Sequence, residues 1–329
     1  MRPFKFISAE TATAAVESHT KDQKTHYLGG GTNLIDLMKE DVERPENLIE
    51  VADLPFKSIE ATASGGLSLG AMVSNTETAN HPEVRENYPL LSMAMLSAAT
   101  EQIRNMATNG GNLLQRTRCS YFYETSMPCN KRDPGSGCGA IEGVNRLHAI
   151  FGWSDQCVAT HPSDMCVGLV ALDAVVNVQK ADGSTRSIPF TDFHRLPGDQ
   201  PEKDTNLEPG ELITSIELPK SNFSKNYYYL KVRERSSYAF ALVSVAAGLD
   251  IQNNRINNAC LALGSVAHKP WKLSKAENFL KGKEPSQEIF EEAARIALED
   301  AKPLDQNEYK IELSQRAIVR ALLQANDRV

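Results

Sequence analysis

No stretch of the chain approaches the ~18–20 consecutive apolar residues that cross a bilayer. The opening residues, Met1-Arg2-Pro3-Phe4-Lys5, lack the apolar core of a signal peptide. These residues therefore carry neither a membrane span nor an export address. Basic blocks are also missing. The 35 Lys and Arg are scattered among 42 Asp and Glu, giving a formal charge of −7, so nucleic acid finds no electrostatic footprint. Six cysteines in 329 residues are too few for a disulfide-stapled secreted scaffold, which leaves reduced thiols or metal ligands and points to folding in the cytoplasm. There is no repeat, no Ser-His-Asp or Cys-His constellation, and no His-Glu-x-x-His; His148 and His161 fit no ligand spacing. A site whose chemistry resides in a cofactor fits that lack.

What is present is concentrated. Four of the six cysteines, Cys119, Cys129, Cys138 and Cys157, crowd into a Gly-rich, strand-poor stretch. That density points to a bound metal or cluster, with two disulfides, zinc or plain burial as the other readings. The spacing C-x9-C-x8-C-x18-C contains no tight C-x-x-C pair, which weakens structural zinc. Arg116, Arg118, Lys131 and Arg132 lie nearby and favour thiolates. Cys166 and Cys260 sit in apolar runs and read as core residues.

Upstream, His26-Tyr27-Leu28-Gly29-Gly30-Gly31-Thr32-Asn33-Leu34 joins a strand expected at Thr25–Leu28 to a helix expected at Leu34–Lys39. Glycines let such a loop approach a pyrophosphate closely and offer it amide donors. It is neither a dinucleotide fingerprint, since position 34 is leucine, nor a P-loop; a plain tight turn is the alternative. Further polar clusters follow at Thr108-Asn109-Gly110-Gly111-Asn112 and at His161-Pro162-Ser163-Asp164. Singly, each also reads as a turn or cap.

The pattern of elements predicts an α+β chain. A small α/β unit spans 1–55, with a helix at Thr11–Ser18 and a second strand at Asn47–Val51. A second unit over 56–220 has a strand at Gly66–Ala71, a polar stretch Ser74–Pro82 and one long helix from Tyr88 to Met106 ending at Asn109-Gly110. It continues through the cysteine segment to a buried strand, or helix then strand, over Met165–Val178 and a hairpin at Asp182-Gly183. Leu196–Pro209 breaks the pattern before a strand at Glu211–Leu218. Over 221–329, β-type runs at Tyr227–Glu234, Ala239–Asp250 and Asn257–Gly264 precede helices near Lys272–Leu280, Ser286–Leu298 and Gln315–Ala325. This order predicts a three-stranded sheet with helices on one face.

Taken in order, Leu28 to Asn33, Thr108 to Leu113, Ser163-Asp164 and Pro209-Gly210-Glu211-Leu212-Ile213 resemble the FAD subunit of the xanthine dehydrogenase and molybdenum hydroxylase family over nearly the whole chain. The cysteine insertion, from about Arg116 to Gln156, is similar to that of the [4Fe-4S]-bearing subgroup, typified by the bacterial periplasmic aldehyde oxidoreductase and by hydroxybenzoyl-CoA reductase. The resemblance implies a two-subdomain FAD-binding fold followed by a C-terminal domain of the CO dehydrogenase flavoprotein type. It implies FAD on the Gly29–Asn33 loop with His26, Tyr27, Leu28 and Leu34 beside it. It further implies contacts from Thr108, Gly111, Asn112, Ser163, Asp164, Glu211 and Ile213, and Lys231 near the isoalloxazine. Lys231 otherwise reads as a solvated strand lysine. A [4Fe-4S] cluster would take Cys119, Cys129, Cys138 and Cys157, one thiolate per iron. The implied partners are a small [2Fe-2S] subunit and a large molybdenum-cofactor subunit. The implied location is the periplasm by co-export with a signal-bearing partner, with the cytoplasm as alternative. The rival readings are a stand-alone FAD reductase of the UDP-N-acetylenolpyruvoylglucosamine reductase type and a zinc-stabilised assembly protein.

Overall fold

The computed structural model describes residues 1–20 and 24–327. The chain begins with a three-stranded parallel sheet, order β1-β3-β2, built from β1 (Lys5–Ser8), α1 (Ala12–Thr20), β2 (Thr25–Leu28), α2 (Leu34–Lys39) and β3 (Asn47–Glu50). Parallel neighbours require crossovers, which α1 and the α2 segment supply. The second unit carries a five-stranded antiparallel sheet, order β4-β5-β8-β6-β7. Its strands are β4 (Ile59–Ala61), β5 (Leu67–Gly70), β6 (Val175–Gln179), β7 (Thr185–Pro189) and β8 (Leu212–Leu218). The β6–β7 hairpin turns at Gly183, as the Asp-Gly pair predicts.

Helices fill the gap between β5 and β6. They are α3 (Asn75–Asn80), α4 (Pro82–Asn87), α5 (Pro89–Leu96), α6 (Glu101–Met106), α7 (Asn109–Leu113), α8 (Ser120–Tyr123) and α9 (Asp164–Ala171). A tenth, α10 (Phe190–Phe193), follows β7. The polar stretch at Ser74 is a helix start: the Ser74 hydroxyl accepts from the Glu77 amide while the Glu77 carboxylate accepts from the Ser74 amide. The single helix predicted over Tyr88–Met106 is two. Ala99 takes φ 46°, which breaks the α-helical hydrogen-bond ladder, and the Thr100 hydroxyl caps a new helix by accepting from Ile103 N. Asn109-Gly110 does not end a helix but starts one, α7, capped by Thr108.

The C-terminal unit contains β9 (Asn226–Val232), β10 (Val243–Gln252), β11 (Arg255–Gly264), the two-residue β12 (Trp271–Lys272), and helices α11 (Ser274–Leu280), α12 (Gln287–Ala297) and α13 (Tyr309–Asn326). Its sheet runs β12-β11-β10-β9, so a short fourth strand joins the three that were expected. Helices were expected on one face; both faces are covered. Side chains alternate between faces along a strand. Val245, Ala247, Leu249, Leu261 and Leu263 enter the core shared with α11–α13. Ala246, Cys260 and Ala262 enter the core shared with α5 and α9. The second face is built from small residues because α9 lies close. A Cβ on Gly264 would sit 2.6 Å from the Val167 side chain of α9. Cys166 and Cys260 are buried in this packing, as their apolar contexts predict.

Beneath α7 lies a buried polar knot. The Asn109 side chain donates to Gly70 O at 3.1 Å, bonds the Thr78 hydroxyl at 2.8 Å and accepts from Asn75 Nδ2 at 3.2 Å. Asn109→Ala would strand these groups in a dry interior. The expected cost is about 2–3 kcal/mol, measurable as a lowered midpoint in urea denaturation with unchanged slope.

Candidate cofactor sites

The glycine loop leaves β2 and wraps onto the chain ahead of α7. A Cβ on Gly30 would lie 1.7 Å from Met106 O, and one on Gly29 2.8 Å from the Thr108 hydroxyl. Only glycine permits this approach, and Gly31 adds a left-handed φ of 72°. Among the described residues, no oxygen accepts from the amides of Gly30, Gly31 or Thr32. The buried Asn33 Nδ2 also lacks a partner there, while Asn33 Oδ1 accepts from Arg116 N at 3.0 Å. A run of unpaired donors on a close-packed backbone suits a phosphate group.

From this loop the polar clusters connect through direct contacts. Thr108 Oγ1 accepts from Gly111 N at 3.2 Å. Asn112 Oδ1 accepts from the Ser163 hydroxyl at 2.5 Å, and Asn112 Nδ2 donates to Asn75 Oδ1. Ser163 caps α9 through Cys166 N. The next residue, Asp164, accepts from Tyr229 OH and from Lys231 Nζ, each at 2.7 Å. Lys231 is thus no solvated strand lysine. Its side chain is 5% exposed, with the ammonium paired with Asp164 and donating to Ser97 O, so its charge is already balanced within the protein. Burial, with Asp164 adjoining, pushes the Tyr229 phenol well above its ordinary pKa.

Glu211 and Ile213 stand apart from this chain of contacts. Both Glu211 oxygens accept from Arg186 at 2.6 Å, and Oε2 also accepts from Glu208 N. Burial opposes ionisation of Glu211, yet Arg186 holds its carboxyl below the usual range. Ile213 is buried opposite Val178. Tyr27 OH donates to Gly210 O at 2.8 Å, fastening this strand entry to β2. His26, facing Glu43 at 3.7 Å, has its pKa lowered by burial. Thr32 is exposed at the loop tip, and Leu28 and Leu34 flank it half-buried.

The four crowded cysteines line one small cavity. Cys129 and Cys138 face each other across an antiparallel bridge, bracketed by Asn130 N donating to Gly137 O at 2.7 Å and Gly139 N donating to Pro128 O at 3.0 Å. Such a non-hydrogen-bonded pair brings its side chains closest. Asn130 Oδ1 accepts from Gly135 N and Gly137 N, closing the turn, while its Nδ2 donates to Gln156 O and so ties in the arm carrying Cys157. Cys119 Sγ lies 3.1 Å from His148 Nε2. All six cysteines are free thiols. Burial pushes the Cys119 thiol up to about 12 and the Cys157 thiol to about 11, the latter against the pull of Lys131. These sulfurs would carry negative charge only beside a cation.

Sequence reasoning missed what joins the two sites. Arg116 lies over the Phe122 ring and pairs with Asp204 at 2.8 Å and with Glu43. Lys131 also pairs with Asp204 and donates to Pro201 O at 2.7 Å. Asp204 belongs to the Leu196–Pro209 stretch, which shows only a broken pattern in the sequence. A buried trio, His161, Cys166 and His194, also escaped notice. It is not a ready metal site. Ser163 N donates to His161 Nδ1 and His194 Nε2 faces Leu113 O, so the two rings together offer the trio one free lone pair.

Residues 2–221 match the family model described as the FAD binding domain in molybdopterin dehydrogenase, and residues 228–325 match the CO dehydrogenase flavoprotein C-terminal domain. The chain is 45% identical to the aldehyde oxidoreductase FAD-binding subunit PaoB of Escherichia coli, over 99% of both chains. It is 27% identical to the glyceraldehyde dehydrogenase medium chain of Sulfolobus acidocaldarius, over 92% of this chain and 90% of that one. Among solved structures, the carbon monoxide dehydrogenase of Hydrogenophaga pseudoflava superposes with a TM-score of 0.77 at 23% identity, covering 100% of this chain and 99% of that one. The quinoline 2-oxidoreductase of Pseudomonas putida superposes at 0.76 and 23%, covering 98% and 97%. Those two structures speak for the fold alone.

Burial lowers the pKa of His194 and of His268 to about 4, against about 6.5 in an unfolded chain. Between those values the unfolded chain binds more protons, so stability must fall as pH drops from about 6.5 toward 4. His268→Asn, which keeps a donor for Arg195 O, is expected to flatten that slope in melting temperatures measured across this range.

Proposed function

The chain belongs to the FAD-binding subunits of the molybdenum hydroxylase family, and on that premise we propose that it is the electron-transfer subunit of a molybdenum-containing aldehyde oxidoreductase. In this reading it holds FAD and a [4Fe-4S] cluster and passes electrons from partner subunits through FAD to an external acceptor. The partners are a small [2Fe-2S] subunit and a large molybdenum-cofactor subunit. The 45% identity to an aldehyde oxidoreductase subunit supports the substrate class. FAD would supply the ability to take up and release electrons; the chain's residues position it. The free amides of Gly30 to Thr32 and Asn33 Nδ2 would receive the pyrophosphate, while the Thr108, Asn112 and Ser163 contacts hold the neighbouring wall in register.

One observation carries the cluster: Cys119, Cys129, Cys138 and Cys157 line a single cavity as free thiols. Four thiolates are what a cubane needs, and Lys131, which lines the same cavity and acts on the Cys157 thiol, would offset part of their charge. The stand-alone reductase alternative is not favoured, because residues 228–325 match the CO dehydrogenase flavoprotein C-terminal domain.

Purified protein is expected to show flavin absorption over a broad iron–sulfur shoulder, with about four irons per chain; zinc without iron would sink the cluster assignment. Cys138→Ser is expected to lose most of the iron while keeping flavin. Gly30→Val, by driving a side chain into Met106 O, is expected to do the reverse. Equal loss of both cofactors from each variant would show that the two sites are not separable. For location we propose the periplasm, reached in complex with a signal-bearing partner. Fractionation should find the chain there and move it to the cytoplasm when that partner's signal is deleted; an unchanged distribution refutes co-export.

A further inference from the structure

Among the four clustered thiols, Cys119 has a side-chain partner on its sulfur, His148 Nε2 at 3.1 Å. His148 is buried, and its placement is heavily determined. Its amide donates to Asn145 O, its carbonyl accepts from Asn307 Nδ2 at 3.1 Å, and Lys310 Nζ holds the preceding carbonyl of Leu147 at 2.9 Å. Asn307 and Lys310 are themselves fully buried. The ring is therefore aimed from the C-terminal unit, with Tyr121 beside it.

A neutral imidazole has one N–H. Among the described residues His148 Nδ1 meets no partner, whereas Nε2 faces sulfur. Placing the hydrogen on Nε2 satisfies the ring where a polar neighbour exists, and a metal-bound thiolate is a better acceptor than a thiol. We propose that His148 donates an Nε2–H···Sγ hydrogen bond to the Cys119 thiolate and so raises the reduction potential of the cluster. His148 is then a positioning residue acting through Cys119, not a ligand. This rests on the cluster reading given above. The bond draws negative charge from the sulfur, which favours the more negative reduced state over the oxidised one. No covalent bond forms or breaks, and the proton stays on Nε2.

The test uses the protein purified with its cofactors. His148→Leu is expected to keep iron and acid-labile sulfide and to be reduced with about a tenfold smaller equilibrium constant, a midpoint lowered by ~59 mV for one electron, in an EPR-monitored titration. His148→Gln, which restores an N–H at similar reach, is expected to recover most of that shift. If the leucine variant loses its iron, retention of iron by the glutamine variant supports the donor role just as well. Full iron with an unchanged midpoint in His148→Leu, or loss of iron by both variants, overturns it. Absence of iron from the unaltered protein defeats the cluster reading instead, so the two failures are distinguishable.

Discussion

Two cations and one carboxylate hold the parts of this molecule that matter in one place. Asp204 lies between Arg116 and Lys131, and although burial opposes its ionisation, the two cations hold its carboxyl far below the usual carboxylate range. Such a network adds little net stability, because desolvation offsets much of the attraction. Its force lies in what it forbids. Removing Asp204 takes the carboxylate from the buried Lys131 ammonium and leaves that charge stranded, at about 3–5 kcal/mol. The Leu196–Pro209 stretch, the cysteine segment and, through Glu43, the first sheet must therefore stay together.

The same network brings the glycine loop and the thiol cavity against one wall. Arg116 donates its amide to Asn33 at the end of the glycine loop, and the chain then runs through Thr117 and Arg118 to Cys119. Arg118 bonds Asp36 of α2 at 2.8 Å, and Tyr123 OH reaches the same carboxylate at 2.9 Å. The first thiol is thus anchored to the helix that follows the glycine loop.

How much of this was readable beforehand follows from the range of each constraint. Glycine at 29 to 31 and four crowded cysteines are local signals, because a close backbone approach demands glycine at its place and thiols that line one cavity stand close in the sequence. The break at Ala99 was hidden, since neither glycine nor proline marks it and Thr100 reads as a cap only once the helix after it is known. Pairings such as Lys231 with Asp164 or Arg116 with Asp204 join residues far apart in sequence, and composition does not say which carboxylate a cation will find. The two-faced burial of β10 left a trace in the nearly continuous small and apolar run from Val243 to Leu249, broken only by Ser244, which is how a strand covered on both sides reads.

That two-faced burial gives the C-terminal unit a part in both sites. Bulky residues on one face of its sheet hold α11–α13, and the small ones on the other let α9 approach closely. Through the small face, Tyr229 and Lys231 of β9 reach Asp164 at the start of α9, beside the Ser163–Asn112 contact. From the helical side, Asn307 and Lys310 grip the chain at Leu147 and His148. One domain thus holds one polar group beside the Ser163–Asn112 contact and one neighbour of the thiol cavity. A sheet with larger residues on its α9 face would push α9, and Asp164 with it, away from Tyr229 and Lys231.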